Sequence, residues 1–335
     1  MHKAYIYPVT KRFKSEIYNP YIDNFITYNS NNFLFLNKNN PSNSGIFNVL
    51  KYITQIDTIF FNWIEKIPDF KGGFFQSIFL VILLNFCKIK GIRIVWTVHN
   101  KISHSKDHLW LKKYIFKILM RKSDLIITHS REGKSLVTSY GMSLKHVFYF
   151  PHPVINSPIF ENEKKEFDIL VWGSLVPYKG IDLFLENIYK NNLQEKYVIK
   201  IIGKCYDTGY LKKLMTYSNY KISIEDKFPN NNDLGRLMSS GRIVLFTYSS
   251  DSILSSGALA ESVAYGALVV GPDKASFSDL SELGYIFVYD NFNSLIRLVD
   301  DILSGDKTLP KENYKKFQKE FHWKEFASKL FQEFN

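Results

Sequence analysis

Short apolar segments alternate with helical patterns along nearly the whole chain, and this alternation constrains the fold more than any other feature. The predicted strands of the first half are 4–9, 58–63, 92–98, 125–128 and 147–150. Helical patterns cover 74–89, 107–121 and 131–139. The predicted strands of the second half are 168–172, 197–202, 221–224, 242–247 and 268–270. Strands that alternate with helices form parallel sheets covered on both faces, so we predict an α/β fold with two Rossmann-like halves.

The chain has 335 residues, which is enough for two domains of ordinary size. The composition turns acidic after Pro151-His152-Pro153, which indicates a linker. We therefore predict one domain at 1–155, a second at 165–310, and a C-terminal helical segment at 311–335. The two cysteines, Cys87 and Cys205, are far apart and show no metal-site spacing, which favours a reducing compartment.

The net charge of +11 is concentrated in the first half. Residues 1–155 carry 21 Lys and Arg against 8 Asp and Glu, whereas residues 156–335 carry 22 against 24. Five basic residues alternate with apolar and aromatic residues along the helical segment 107–121 and at the position just after it. The basic residues are Lys112, Lys113, Lys117, Arg121 and Lys122. Such a helix fits an anionic membrane surface, and it equally fits a core-facing helix with a solvated basic face. The apolar run 74–87 is too short to span a bilayer and is predicted to be a buried helix.

The stretch 251–272 combines a small polar loop, a helix and a strand. The loop contains Ser255, Ser256 and Gly257, and the predicted helix runs from 258 to 265. Unpaired N–H groups and the helix dipole make such a helix start an anion site. Glu261 follows one turn into the helix, within reach of whatever the loop binds. The alternative is an ordinary helix whose serine is an N-cap.

A second stretch, DILVWGSLVPYKG at 168–180, has the outline of a phosphate site. Gly173 and Ser174 end a predicted strand, and Lys179 precedes an amphipathic helix. A glycine lets the backbone approach an anion, and a lysine supplies a point charge. The stretch is not the loop of nucleoside triphosphatases, because the chain contains no G-x-x-x-x-G-K-[ST].

The pair GSLVPYKG and ALAESVAYGALVVGP resembles the donor half of GT-B glycosyltransferases, most closely the family 4-like group. The resemblance implies two Rossmann-like domains that face a central cleft, with the C-terminal helix returning to the first domain. It also implies a nucleotide-diphosphate sugar, with UDP or GDP as its nucleotide, bound by the second domain. The implied donor-binding residues are Gly173, Ser174, Lys179, Gly203, Lys204, Phe228, Ser255, Ser256, Gly257 and Glu261. Within this set Glu261 would bond the ribose hydroxyls and Phe228 would form an apolar wall for the base.

Two positions depart from the pattern of that group. Ser174 stands where arginine is usual, so one phosphate cation is missing. Ile253 stands where a glutamate that touches the donor sugar is usual. Asp251 is the nearest carboxylate that would substitute if the loop were rearranged.

The strand ends of the first half offer Glu65, His99, Asn100, His129 and Ser130. Ligands of parallel sheets collect at the carboxyl ends of strands. His99 resembles the active-site histidine of the group, and Glu65 is a candidate acceptor-side base. For each, the alternative is a structural role.

The histidines His99, His104 and His108 have no carboxylate or cysteine at zinc-site spacing. We therefore expect an enzyme without metal ion or cofactor. Asp107 is a weaker candidate for the acceptor-side base than Glu65.

These features together predict a hexosyltransferase-type glycosyltransferase. It would move a sugar to a saccharide or lipid-linked saccharide acceptor in bacterial capsule, exopolysaccharide or O-antigen biosynthesis. We expect it in the cytoplasm, peripheral on the inner face of the membrane, with anionic lipid and not nucleic acid as partner. One alternative is a catalytically silent GT-B partner subunit, suggested by Ser174 and Ile253. The other is a basic nucleic-acid-binding protein, which predicts a salt-sensitive affinity for DNA or RNA.

Overall fold

The structure is a computed structural model that describes residues 1–9, 20–101, 107–160, 163–229, 231–310 and 312–334. Its residues divide into two compact units. The first contains Met1–Pro151, Ser252–Ser255 and Trp323–Asn335, and the second contains His152–Asp251 and Ser256–His322. Within the described residues each unit is built on a parallel sheet of six strands. The predicted α/β class is therefore confirmed.

The first sheet has the strand order β2-β1-β3-β4-β5-β6. Its strands are β1 (His2–Tyr7), β2 (Phe33–Phe35), β3 (Thr58–Asn62), β4 (Arg93–Val98), β5 (Leu125–Thr128) and β6 (Val147–Tyr149). The helices of this unit are α1 (Tyr21–Asn29), α2 (Gly73–Lys90), α3 (Leu109–Lys122), α4 (Arg131–Ser139) and the last helix of the chain, α12 (Trp323–Phe334). Short 3₁₀ helices cover Gly45–Lys51, Ile64–Asp69 and Leu144–His146.

The central strand β3 reads TIFFN and is buried at every position. A run of β-branched and aromatic residues without polar alternation is typical of a strand covered on both faces. Phe61 pairs with Trp96 of β4 and Asn62 pairs with Thr97. This register brings the carboxyl ends of β3 and β4 together, which places Asn62 beside His99.

A buried hydrogen-bonded chain joins α1 to the end of the first sheet. The hydroxyl of Tyr21 lies 2.8 Å from Nε2 of His129, and Nδ1 of His129 lies 2.7 Å from the carbonyl oxygen of Phe150. Because a carbonyl only accepts, Nδ1 carries a proton and donates to Phe150. This arrangement gives His129 a structural role in the first unit.

The C-terminal segment 311–335 forms two helices, where the sequence pattern suggested one. The helix α11 (Asn313–Glu320) belongs to the second unit, and α12 belongs to the first. Phe317 of α11 packs on Tyr285, whereas Trp323 of α12 packs on Tyr21. The helical pattern is interrupted because the apolar faces of the two helices pack in different units. At the break Val154 forms a bridge with His322, and its N–H donates to the carbonyl oxygen of Phe321.

The second sheet has the strand order β12-β11-β10-β7-β8-β9. Its strands are β7 (Phe167–Trp172), β8 (Ile199–Ile202), β9 (Ile222–Glu225), β10 (Gly241–Leu245), β11 (Val269–Pro272) and β12 (Phe287–Tyr289). Its other helices are α5 (Ile181–Lys190), α6 (Thr208–Met215), α7 (Asn231–Ser240), α8 (Gly257–Ala264), α9 (Ala275–Glu282) and α10 (Phe292–Ser304). The chain reverses its winding direction between β7 and β10. Ligands of open parallel sheets bind at such a switch point, beyond the carboxyl ends of the strands.

Candidate functional site

Two loops meet at the switch point of the second sheet, one after β7 and one after β10. The hydroxyl of Thr247 donates to the carbonyl oxygen of Lys179 over 2.7 Å. The backbone N–H groups of Ser249 and Ser250 both lie 3.3 Å from the carbonyl oxygen of Tyr178. The rings of Tyr178 and Tyr248 stack with their centroids 6.2 Å apart. The two loops therefore form one hydrogen-bonded wall at the place where a ligand is expected.

Glycines let the backbone pass closely through this wall. Gly173 has a φ of +92°, and a Cβ there would lie 2.9 Å from Nζ of Lys179. A Cβ at Gly203 would overlap the carbonyl oxygen of Gly173. The two predicted glycines are therefore in backbone contact; Gly203 has no room for a side chain, and the positive φ of Gly173 favours glycine.

Lys179 supplies a buried positive charge at the same wall. It ends the 3₁₀ helix Pro177–Lys179, and only 8% of its side chain is exposed. Burial lowers the pKa of its ammonium to about 8. Within the described part of the chain its Nζ has no carboxylate at ion-pair distance, and its nearest aromatic neighbour is the Tyr248 ring, with the centroid 5.7 Å away. An unpaired buried cation is costly unless a ligand compensates it, so this side chain indicates an anion site.

The start of α8 lies in the same unit and is capped by Ser256. The Ser256 hydroxyl accepts from the backbone N–H of Leu259 over 3.2 Å, and it lies 3.2 Å from the hydroxyl of Tyr248. Ser256 is therefore an N-cap that also contacts the wall through Tyr248, and its role in binding a donor stays a prediction. Tyr248 was not identified from the sequence, since a tyrosine after a strand carries no local signal.

His152 is a further neighbour of this helix start that sequence reasoning missed. Its Nε2 would lie 3.3 Å from a Cβ at Gly257. Its Nδ1 lies 3.1 Å from the carbonyl oxygen of Pro153, and burial lowers the pKa of the imidazole to about 4. The ring is therefore neutral at physiological pH, so it adds no positive charge beside the positive end of the helix dipole. The flanking prolines were the only local signal.

Glu261 lies one turn into α8 and faces a poorly solvated environment. Burial raises the pKa of its carboxyl to about 7. Its carboxylate has no hydrogen bond or ion pair with any residue that the structure describes. Such an acceptor is suited to bind neutral hydroxyl groups of a ligand, which would compensate for the lost water.

Four of the predicted donor residues are less central to this wall. Lys204 forms an ion pair with Asp226 over 3.1 Å, so its charge is already compensated. Ser174 is partly buried after β7, and Phe228 is half-buried in the loop after β9. Ser255 packs with the first unit, so it is not in the unit that contains Ser256.

The structure shows where Ile253 and its suggested substitute, Asp251, lie. Ile253 is buried in the first unit and forms an isolated bridge with Asn100. No acidic side chain occupies that position. Asp251 is 94% exposed and lies 3.2 Å from Nζ of Lys274, so it points into solvent rather than into a core.

His99 is rigidly held at the end of β4 in the first unit. Its ring stacks on Trp63 with the centroids 4.2 Å apart, and it meets the edge of Tyr21 at 5.0 Å. Its Nε2 lies 3.3 Å from Oδ1 of Asn62. The Nδ2 of Asn62 is buried and lacks a hydrogen-bond partner among the described residues. His99 and Asn62 thus form a small polar cluster at the carboxyl ends of β3 and β4, in which Nδ2 of Asn62 has donor capacity left for a ligand.

No hydrogen bond joins Glu65 to His99 or Asn62 in the part of the chain that the structure describes. Glu65 is 2% exposed, and neither carboxylate oxygen has a hydrogen bond of normal geometry with any described residue. Burial raises its pKa to about 7, against smaller lowering effects that include the Trp96 indole. Trp96 packs on Phe116 of α3, whereas His99 packs on Tyr21 of α1. Glu65 itself lies in the 3₁₀ helix Ile64–Asp69, after the end of β3.

No group of three or more His, Cys, Asp or Glu side chains with metal-binding geometry is found in the described ranges. His104 lies outside the described residues. His108 and Asp107 are described and exposed, just before α3. Metal independence stays a prediction.

Comparison with known proteins was made with the sequence and with the structure. No protein-family model matches the chain, and no curated protein matches it. Among solved structures, HepE from Anabaena in complex with UDP is similar with a TM-score of 0.71 at 13% identity, over 99% of each chain. The lipopolysaccharide outer core galactosyltransferase WaaB, in its apo form, gives 0.67 at 14% identity over 99% of each chain. A glycosyltransferase from Rickettsia africae gives 0.64 at 13% identity over 98% of this chain and 96% of its own. The chain therefore has the GT-B fold of these structures, and the two Rossmann-like domains that the resemblance implied are confirmed.

Proposed function

We propose that this protein transfers a sugar from a nucleotide-diphosphate sugar to a saccharide or lipid-linked saccharide acceptor. The pathway we propose is bacterial cell-surface polysaccharide biosynthesis, which includes capsule, exopolysaccharide and O-antigen. UDP is the favoured nucleotide, because the similar HepE structures contain UDP, UDP with glucose, and UDP-glucose. The similar WaaB is by its name a lipopolysaccharide galactosyltransferase, which supports the acceptor class.

The observation that carries the proposal is the unpaired cation of Lys179 at the switch point of the second sheet. Only a ligand with negative charge compensates it. The wall beside it includes backbone groups and the close-packed Gly173 and Gly203, which suits a diphosphate. Glu261 on α8 adds an acceptor for hydroxyl groups, as a ribose presents. Together these groups match a nucleoside diphosphate better than an isolated phosphate.

In the transfer, the bond between the anomeric carbon and the β-phosphate oxygen breaks, and a bond from the acceptor oxygen to the same carbon forms. The nucleoside diphosphate leaves with the electron pair, so charge develops on its β-phosphate. A fixed cation at Lys179 would stabilise that charge without reorganising. The acceptor hydroxyl loses its proton, and we propose His99 as an acceptor-side group that receives or orients it. Glu65 stays a second prediction for that base.

The first test is a thermal-shift titration with UDP, GDP, ADP and TDP. A ligand that binds only the folded state must raise the melting temperature. At a ligand concentration of a hundred times the dissociation constant, the free energy of unfolding rises by about 2.7 kcal/mol. We expect a shift with UDP above all. No shift with any nucleotide would remove the proposal.

A second candidate is a GT-B subunit that binds nucleotide without turnover. The buried Ile253 favours it, because the position of the usual donor-contacting glutamate carries no charge. Incubation with UDP-sugars decides between the two. Release of UDP, with or without an added saccharide acceptor, supports the enzyme, whereas binding without release supports the silent subunit. We propose that the release needs no metal ion or cofactor, so it should persist in EDTA.

The affinity for UDP-glucose should depend on pH with two separate limbs. Binding of the diphosphate favours the charged form of Lys179, so the affinity falls as pH rises through about 8. Hydrogen bonds from ribose hydroxyls favour the ionised form of Glu261, so the affinity also falls as pH drops through about 7. Each limb approaches tenfold per pH unit at its steepest. Calorimetric titration from roughly pH 5.5 to 9 brackets these two pKa values and therefore measures both limbs.

UDP-glucose is preferred to UDP for this measurement, because its diphosphate carries no terminal oxygen that titrates near pH 6. A Lys179→Met variant should lose the alkaline limb only, and a Glu261→Gln variant the acid limb only. An affinity that stays flat across the range would contradict both assignments.

A further inference from the structure

The outward face of helix α2 is as apolar as its inward face. Five of its large apolar side chains are exposed, namely Phe74, Phe75, Ile78, Ile82 and Ile89. Phe75 is 70% exposed and Ile89 is 82% exposed. At 100° per residue Phe75, Ile78, Ile82 and Ile89 fall on one stripe along the helix. We call these four residues the α2 stripe.

The opposite side of α2 is part of the core of the first unit. Leu80, Leu84 and Cys87 are fully buried against strands of the sheet. Gln76 fixes the start of the helix, because its side chain accepts from the N–H of Ile46 and donates to the carbonyl oxygen of Lys71. A helix that is apolar on all sides is buried in a large core or lies against lipid. In this unit nothing in the described residues covers the α2 stripe.

Helix α3 packs next to α2 on the same face of the sheet, since both contribute to one core. Its exposed stripe consists of Trp110, Lys113, Tyr114, Lys117 and Arg121. Aromatic rings alternating with cations are typical of the boundary between water and lipid headgroups. Lys112, which the sequence pattern placed on the basic face, is instead buried in an ion pair with Asp69 over 2.6 Å. The basic surface is therefore narrower than expected, and it is directed away from the sheet.

The helix α2 has 18 residues with a mean hydropathy of 1.5, which makes it long and apolar enough to cross a membrane. One such helix is weak support for crossing, because core helices pass the same criterion. Crossing would remove Leu80, Leu84 and Cys87 from the sheet and expose its apolar face. Lying in the membrane plane keeps the core intact and buries only the α2 stripe. The geometry therefore favours the in-plane arrangement.

We propose that the first unit docks on an anionic lipid bilayer, with the α2 stripe inserted among the acyl chains and the α3 stripe at the headgroups. The apolar stripe and the adjacent cations complement the two layers of such a surface. Under the proposed function, this docking would hold the enzyme where lipid-linked acceptors lie. The docking itself rests on the surface of the first unit and not on the nucleotide site.

The test is co-sedimentation of the full chain with vesicles of phosphatidylglycerol and phosphatidylcholine in equal parts. Replacing Phe75, Ile78 and Ile82 with serine should weaken binding by roughly tenfold or more, because three inserted side chains lose their apolar contacts. Changing Lys113, Lys117 and Arg121 to glutamine should weaken it by roughly fivefold per charge. Binding should weaken with salt and with pure phosphatidylcholine vesicles. All substituted side chains are exposed, so circular dichroism and the UDP thermal shift should stay unchanged.

The matched control replaces three exposed apolar residues of the second unit, Leu183, Tyr220 and Leu283, with serine, and it should bind vesicles like the wild type. The proposal would be overturned if the control variant lost as much vesicle binding as the α2 serine variant. It would also be overturned if the wild type did not bind vesicles. So would a wild-type dimer in analytical ultracentrifugation that the α2 variant dissolves, because a second copy would then cover the stripe. Binding of duplex DNA or RNA that competes with vesicles and is lost with the glutamine variant would instead favour nucleic acid. A normal UDP shift in a variant that no longer binds vesicles separates this inference from the proposed function.

Discussion

Changing Lys179 to methionine is expected to lower turnover of the nucleotide sugar by roughly 10²–10³-fold while making the unliganded protein more stable. The loss follows because a fixed charge on the leaving phosphate is removed from a poorly solvated site, where such groups contribute most. The gain follows because the folded state holds the ammonium at a pKa of about 8, below its ordinary value. Keeping the charge buried at neutral pH costs up to about 3 kcal/mol, and methionine fills the same space without that cost.

The sign of the pH dependence gives an independent check on this variant. A lysine whose pKa is lowered by folding destabilises the protein below that pKa, and the penalty disappears as pH rises from about 8 toward the unfolded value. As the pH rises above about 8, the melting temperature of the wild type should therefore rise relative to that of the variant. Lys190→Met, at an exposed position of α5, serves as the matched control and should change neither turnover nor this pH dependence. If Lys179→Met bound UDP-glucose normally, the diphosphate site would lie elsewhere.

Elements that depend on local signals could be predicted closely from the sequence. The helix predicted at 131–139 is α4, whose start is fixed by Ser130 accepting from the N–H of Gly133. The helix predicted at 258–265 is α8, shifted by one residue, with Ser256 as its cap and Gly266 after its end. Both helices carry their boundary residues within the segment itself. Ten apolar strands were equally clear, because strands covered on both faces are apolar throughout. The three-residue edge strands β2 and β12 were not predicted, because such short segments give little pattern.

Features that depend on long-range packing could not be predicted in the same way. The pairing of Lys204 with Asp226 joins the ends of two adjacent strands, and the position of His152 beside Gly257 joins residues a hundred positions apart. The sequence pattern also treated 311–335 as one helix, since periodicity does not reveal that Phe317 and Trp323 pack in different units. In the candidate site, residue types at strand ends were predictable, but their charge partners were not. For this reason the ion pair that compensates Lys204 could not be foreseen from the sequence.

Among substitutions in α8, a change at Glu261 should give the largest loss of affinity for UDP-glucose and the largest gain in the stability of the unliganded protein. Changing it to glutamine keeps the shape and removes the charge. We expect affinity for UDP-glucose to fall by roughly 10–100-fold, because hydrogen bonds from ribose hydroxyls to a carboxylate are stronger than those to an amide. The unliganded protein should gain about 1–3 kcal/mol at neutral pH, because burial raises the pKa of the wild-type carboxyl to about 7 and ionisation is therefore costly.

The stability gain must itself vary with pH in a defined direction. An acid whose pKa is raised by folding destabilises the protein increasingly as pH rises from its unfolded value, near 4.5, to about 7, and no further above that. The melting temperatures of the wild type and of Glu261→Gln should therefore converge at low pH and separate toward neutrality. Glu282→Gln at the end of α9 is a control on a neighbouring helix and should leave the affinity unchanged. A variant that gained stability but bound UDP-glucose as tightly as the wild type would show that Glu261 is buried for structural reasons and does not contact the ribose.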